Sequence, residues 1–184
     1  MALTQPILLT REDYRALPET GPRYRLIEGE LIMSLAPNRY HQDISRNLEF
    51  LLLKYLEKHP IGKIYHAPFD VYLTQYNVFQ PDILFVSKAR LSSLTEAGAE
   101  GAPSLVVEIL SPRTAVLDKE SKRKVYAREG VEELWILDPE RKTVSLFRLQ
   151  EEPAEPRAVY GLKQAFGSAC FPGLKLCVRD IFRE

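Results

Sequence analysis

Apolar residues along the chain fall into runs of period two and runs of period 3.6, and the changes between them divide it into elements. Thr10 with Asp13 three positions on forms a capping-box pattern, which predicts a short helix over about 11–17 stopped by Pro18. The run YRLIEGELIMSL (24–35) alternates on both sides of Glu28-Gly29 and predicts a β-hairpin. From about 39 to 58, Ile44, Leu48, Leu51, Leu52, Tyr55 and Leu56 keep helical spacing, giving a long amphipathic helix that ends before Pro60. Its apolar stripe faces a core.

Strands are expected at about 63–66, 69–74 and 80–86, the last opening with Pro81, where a strand tolerates proline. The polar stretch SSLTEAGAEGAPS (92–104) reads as a loop or short helix, and SLVVEIL (104–110) as the next strand. Asp118 as N-cap and Gly130 just past the last turn frame a helix over 119–129. VEELWILDPE (131–140) and KTVSLFRL (142–149) form a final hairpin turning at Asp138-Pro139. EEPAEPRA (151–158) is a connection, since only about 25 residues lie beyond it, and no repeat is visible. The order predicts an α/β or α+β fold with one mixed sheet flanked by helices. A right-handed crossover through helix 119–129 sets strands 104–110 and 133–138 parallel.

Length adds that the 184 residues suit one domain, 1–184, with a full core. Lys plus Arg equals Asp plus Glu at 25 each, so no global field draws the chain to nucleic acid or membrane, and an anionic partner must meet a local patch. Lys119, Lys122, Arg123, Lys124 and Arg128 lie within ten positions of one predicted helix; alone, they describe a solvated helix face. The N-terminal run MALTQPILLTRED lacks the features of a signal peptide, and no stretch approaches 18 apolar residues, so a cytoplasmic protein is expected. Cys170 and Cys177 stand without CxxC spacing and read as small core residues in a reducing compartment. Nucleophile elbow, Walker loop, dinucleotide fingerprint and zinc-finger spacing are all absent from the sequence.

Two acids interrupt otherwise strand-like runs. Asp82 lies in PDILFV (81–86) and Glu108 in SLVVEIL, where packing and desolvation both disfavour a carboxylate. Alternation sets Leu105, Val107 and Ile109 on one face and Val106, Glu108 and Leu110 on the other. If the two strands pair antiparallel, the start of one meets the end of the other and both carboxylates reach one edge of the sheet. Either acid alone fits a structural role, Asp82 bonded to a loop N–H and Glu108 in a buried salt bridge to an arginine. Together, and followed by a basic helix, they favour a divalent cation and phosphodiester chemistry.

PD at 81–82, the acid Glu108 in the following core strand and the run SPRTAVLDKESKRKVYAREGVEELWILDP (111–139) resemble the Uma-two family of endonucleases, in the restriction-endonuclease-like PD-(D/E)xK superfamily. The resemblance extends to LIEGELI (26–32), the AP at 36–37 and His41, most of residues 10–140. It implies a restriction-endonuclease-like central mixed β-sheet and a metal-dependent nuclease site with Asp82 and Glu108 as metal ligands. The helical lysine, four residues before Tyr126, maps to Lys122, with Lys119 and Lys124 as alternatives. Mg²⁺ is the implied ion, Mn²⁺ a possible substitute, and nucleic acid, DNA first, the implied substrate. Two cuts across a duplex favour a homodimer.

Two departures matter. Leu110 stands where the superfamily's tripeptide carries its lysine, so the lysine must come from the helix. Arg25 stands where the family usually has a glutamate, while Glu28 keeps an acid at the turn. His41, at the start of the long helix, is a candidate second-layer or phosphate contact. Trp135 and Tyr126 read as core aromatics. The alternative function is a nuclease fold that has lost catalysis and serves as a nucleic-acid-binding or assembly module; a soluble domain with a purely structural acid cluster is a third.

Overall fold

The structure is a computed structural model that describes residues 7–18, 20–34, 36–111 and 117–184, with backbone alone for 117–119. The chain opens with α1 (Arg11–Arg15), closed by the expected capping box between Thr10 and Asp13. The hairpin β1 (Arg23–Ile27) and β2 (Glu30–Ser34) follows. Its turn needs two left-handed residues, Glu28 at φ 49° and Gly29 at φ 82°, and Gly29 meets that demand without strain. Helix α2 (Arg39–Lys58) has the predicted bounds, with the Asn38 side chain accepting from the His41 amide as N-cap.

Next come β3 (Gly62–His66), β4 (Val71–Thr74), β5 (Asn77–Phe79) and β6 (Ile83–Ser87), then a 3-10 turn over Lys88–Ser93 and the short strands β7 (Leu94–Thr95) and β8 (Gly98–Glu100). Beyond them lie β9 (Leu105–Ile109), α3 (Leu117–Arg128), β10 (Glu133–Asp138), β11 (Thr143–Arg148), β12 (Ala158–Gly161), β13 (Ala165–Phe166), β14 (Leu176–Cys177) and α4 (Val178–Ile181).

The fold is mixed α/β, as expected, but the strands form two large sheets where the pattern predicted one. One sheet runs β2-β1-β5-β4-β8-β7, the other β12-β11-β10-β9-β6-β3, and β13 pairs with β14. In the second sheet β9 and β10 are parallel, Val107 opposite Trp135, as the crossover through α3 requires. The predicted strand 80–86 is the main correction. Phe79 ends β5 in the first sheet, Ile83 begins β6 in the second, and the chain changes sheets across Gln80, Pro81 and Asp82. Proline, with no N–H to give a ladder, suits that crossing. Helix α3 also begins two residues earlier than predicted, so Asp118 lies in its first turn, and its cap falls outside the described residues.

The second sheet buries both faces. Toward α2, Ile83, Phe85, Leu105 and Val107 pack with Ile44, Leu48 and Leu52. Toward α3, Val106, Leu134 and Ile136 pack with Val125 and Tyr126, and Ile27 and Phe79 of the first sheet close the same cluster. Leu84 and Val86 meet Val71 and Ala99 between the sheets. Removal of this apolar area from water is the main driving force for the fold, on the order of 25 cal/mol per Å². The thiols depart from expectation in one respect: Cys170 is partly buried, but Cys177 is exposed.

Candidate functional site

Strands β6 and β9 are antiparallel, with Ile83 opposite Val107. One step further in that register sets Asp82, just before β6, across from Glu108 near the end of β9. Asp82 is held from both sides. Its Oδ2 accepts the Ile109 amide at 2.6 Å, and its Oδ1 lies 3.3 Å from Nε2 of His41. The expected structural partner for Asp82 was a loop N–H; the partner is a strand N–H, left without a β6 neighbour because Asp82 precedes that strand. His41 reaches the site from the first turn of α2. Burial acts against its charged form, but the hydrogen bond and charge of Asp82, then the Ile109 backbone and the Glu108 charge, outweigh it and hold the imidazole pKa above its ordinary value.

Glu108 points toward α3, on the face shared with Val106, as alternation predicted. Lys122 Nζ donates to both its oxygens at 2.9 Å, and the Tyr126 hydroxyl donates to Oε1 at 2.7 Å. Lys122 and Tyr126 are four residues apart, one turn of α3, so both reach the same carboxylate. The Lys122 side chain is 7 % exposed and that of Glu108 18 %. A lysine is seldom so buried without a paired charge. Burial is the largest influence on Glu108, the Lys122 charge opposes it and the Asp82 charge reinforces it; the balance stands above the usual carboxylate range. Lys122 also lies 5.9 Å from the centre of the Phe79 ring, which packs edge-on against Tyr126.

The basic run on α3 is dispersed by the fold. Lys122 is buried, and Lys124 is exposed. Arg123 donates to the carbonyls of Pro153 and Ala154, and Arg128 pairs with Glu28 and Glu129. The side chains of Asp118 and Lys119 lie outside the described residues. The sequence read Tyr126 as core alone. It is fully buried, yet its hydroxyl fixes Glu108, and its i, i+4 spacing from Lys122 was the available signal. Asp70 bonds to Tyr14, Tyr72 and Gln80 and has no part in this cluster.

Asp82, just before β6, and Glu108, in β9, are brought across from each other by the antiparallel pairing of those strands, and their carboxylates, with a main-chain carbonyl such as that of Ile109, offer the oxygen donors a hard divalent cation takes. The donor types thus fit such an ion. Among the described residues no group of three or more His, Cys, Asp and Glu side chains converges into a ready-made cage, so the remaining positions would fall to water or substrate.

A family model described as "Uma2: Putative restriction endonuclease" matches residues 11–179, which takes in α1, both sheets and every residue of this cluster. The chain belongs to the Uma2 family. A solved structure described as "a putative nuclease belonging to DUF820", from Anabaena variabilis ATCC 29413, superposes with a TM-score of 0.79 at 22 % identity, covering 96 % of this chain and 98 % of that one. At that identity the likeness is one of fold. Comparison with curated proteins gives no match. The Uma2 match agrees with the resemblance read from PD at 81–82 and the run 111–139. Among the described residues no helix is long and apolar enough to cross a membrane.

Proposed function

We propose that this chain is a metal-dependent endonuclease of one domain that hydrolyses phosphodiester bonds of nucleic acid, DNA in the first instance, with Asp82, Glu108 and Lys122 as its site. One observation carries the reading. The ammonium of Lys122 reaches Glu108 from α3, which supports reading it as the counterpart of the lysine missing two positions after Glu108. A cation and two carboxylates are thereby assembled where the start of β6 meets the end of β9, by elements that come from different parts of the chain.

Asp82, Glu108 and the Ile109 carbonyl would hold Mg²⁺, or Mn²⁺ in its place, and the ion would supply Lewis-acid chemistry at the phosphodiester. The protein's own groups do the rest. The Ile109 amide and His41 fix the orientation of Asp82, and Tyr126 fixes that of Glu108. An ammonium has three N–H donors, and Lys122 directs two at Glu108. Its charge would stabilise negative charge developing on the phosphoryl oxygens.

The alternative, a nuclease fold serving as a nucleic-acid-binding or assembly module, is favoured by a different observation. Each carboxylate oxygen of Asp82 and Glu108 already has a protein partner. A self-satisfied cluster of this kind needs no ion. Cleavage of supercoiled plasmid and of single-stranded DNA with Mg²⁺ or Mn²⁺ separates the two, comparing wild type with Glu108→Ala and Lys122→Ala at intact circular dichroism. Loss of metal-dependent cutting in both variants supports the nuclease. No cutting by wild type, together with no calorimetric metal binding, rejects it in favour of the module.

A further inference from the structure

Helix α2 carries a feature that the active site does not use. Its core face is accounted for by Ile44, Leu48, Leu52 and Leu56 against the second sheet, and one flank by contacts to the C-terminal segment, where Asn47 donates to the carbonyls of Ile181 and Arg183. The opposite face holds Gln42, Arg46, Phe50, Leu53, Lys54 and Glu57, all exposed. In its middle Phe50 is 57 % and Leu53 45 % exposed. An aromatic and a leucine three residues apart form one apolar spot on a helix surface, flanked here by charge.

The order of those charges points to the occupant. A two-fold axis through the helix between Leu51 and Leu52, with a second α2 running antiparallel, brings each Phe50 against Leu53 of the other copy. It also brings Arg46 against Glu57 of the other copy, close to the centre of the face. The apolar pair then meets itself and Arg46 meets an opposite charge, the self-complementarity an isologous interface requires. Arg46, with 72 % of its side chain exposed, pairs with Asp43 one turn away. Glu49 bonds His66 of the edge strand β3, so the apolar spot adjoins the open edge of the second sheet.

We propose that α2 is the dimer interface, its occupant a second copy of this chain packed antiparallel through Phe50 and Leu53. His41 lies about ten residues from the axis, and at ~1.5 Å per residue the two candidate sites fall at opposite ends of the helix pair, about 30 Å apart along it. The inference goes beyond the proposed function and is independent of its chemistry.

Sedimentation equilibrium of the full chain tests it. Wild type is expected to be dimeric, and Phe50→Glu or Leu53→Glu to raise the dissociation constant about tenfold or more. Arg46→Glu is expected to weaken the dimer, and Arg46→Glu combined with Glu57→Arg to restore it, because both contacts are then reversed together. These residues are exposed, so circular dichroism should be unchanged. A wild type still monomeric at about 100 μM, or a dimer indifferent to Phe50→Glu and Leu53→Glu, overturns the proposal and leaves the face to a different partner. Plasmid cleavage by the same variants keeps the questions apart: a monomer that nicks but does not linearise supports both the interface and the nuclease, whereas a dimer that never cuts removes the nuclease alone.

Discussion

Lys122 donates to both carboxylate oxygens of Glu108 at 2.9 Å across the gap between α3 and β9. The lysine side chain is nearly closed to solvent, so this pair is a matter of stability as well as chemistry. Removal of one partner leaves the other charge buried without compensation.

Lys122→Met is therefore expected to destabilise the fold by about 3–5 kcal/mol in urea denaturation, and Glu108→Leu in the same background to recover most of that loss. A double variant no more stable than Lys122→Met would show that the pair is not coupled as described.

Asp82→Ala strips the Ile109 amide of its acceptor and should cost about 1–3 kcal/mol. Asp82→Asn retains an acceptor for that amide while removing the charge. It should stay close to wild type in stability yet lose calorimetric Mg²⁺ binding, and undiminished binding would contradict the assignment of Asp82 as a ligand.

Tyr126→Phe removes only the hydroxyl that donates to Glu108 at 2.7 Å and keeps the ring against Phe79. The expected loss is about 1–2 kcal/mol by thermal or urea unfolding, with cleavage reduced because Glu108 is less fixed in orientation.

Glu100 binds Arg11 and Arg15 of α1; burial raises its pKa, but the two guanidiniums outweigh this and leave it lowered. A carboxylate depressed by folding contributes stability above its unfolded value of about 4.3, and that contribution is lost as pH falls through the lower folded value. Limited proteolysis should therefore find the N-terminal segment increasingly open below about pH 4, and Glu100→Gln should bring that opening to neutral pH.

The two thiols should differ in rate. Burial, with the charges of Glu133 and Glu132, pushes the Cys170 thiol far above its ordinary pKa, whereas Cys177 is exposed. At pH 8 a disulfide reagent should titrate one thiol quickly and the second slowly, and Cys177→Ser should abolish the fast phase.

Much of this arrangement was legible in the sequence because it depends on period and spacing. The bounds of α2, the turn at Glu28-Gly29 and the face on which Glu108 lies follow from alternation and caps, and the parallel β9–β10 pair from the right-handed crossover between them. What period could not disclose was sheet membership. The residues from Val78 to Val86 look nearly continuous, yet Phe79 and Ile83 belong to different sheets, and only the partner strands decide that. The contacts of Glu108 were half legible: a buried acid demands a partner, but choosing Lys122 over an arginine took the resemblance, and Tyr126 came only with the docking of α3. The short strands after 158 escaped because two-residue elements carry no periodic signal.

The crossing from one sheet to the other at Gln80–Asp82 also has a mechanical meaning. The first sheet reaches the second through three residues, and the last of them is the acid that binds the end of β9. This strap, the shortest of those that join the two sheets, thus carries a candidate ligand. Asp82 lies on the crossing between the sheets, while Glu108 lies within β9 of the second one. The spacing between the two acids is therefore a gauge of how the halves of the molecule sit together, and substitutions in the packing of Leu84, Val86, Val71 and Ala99 should be read out in that spacing.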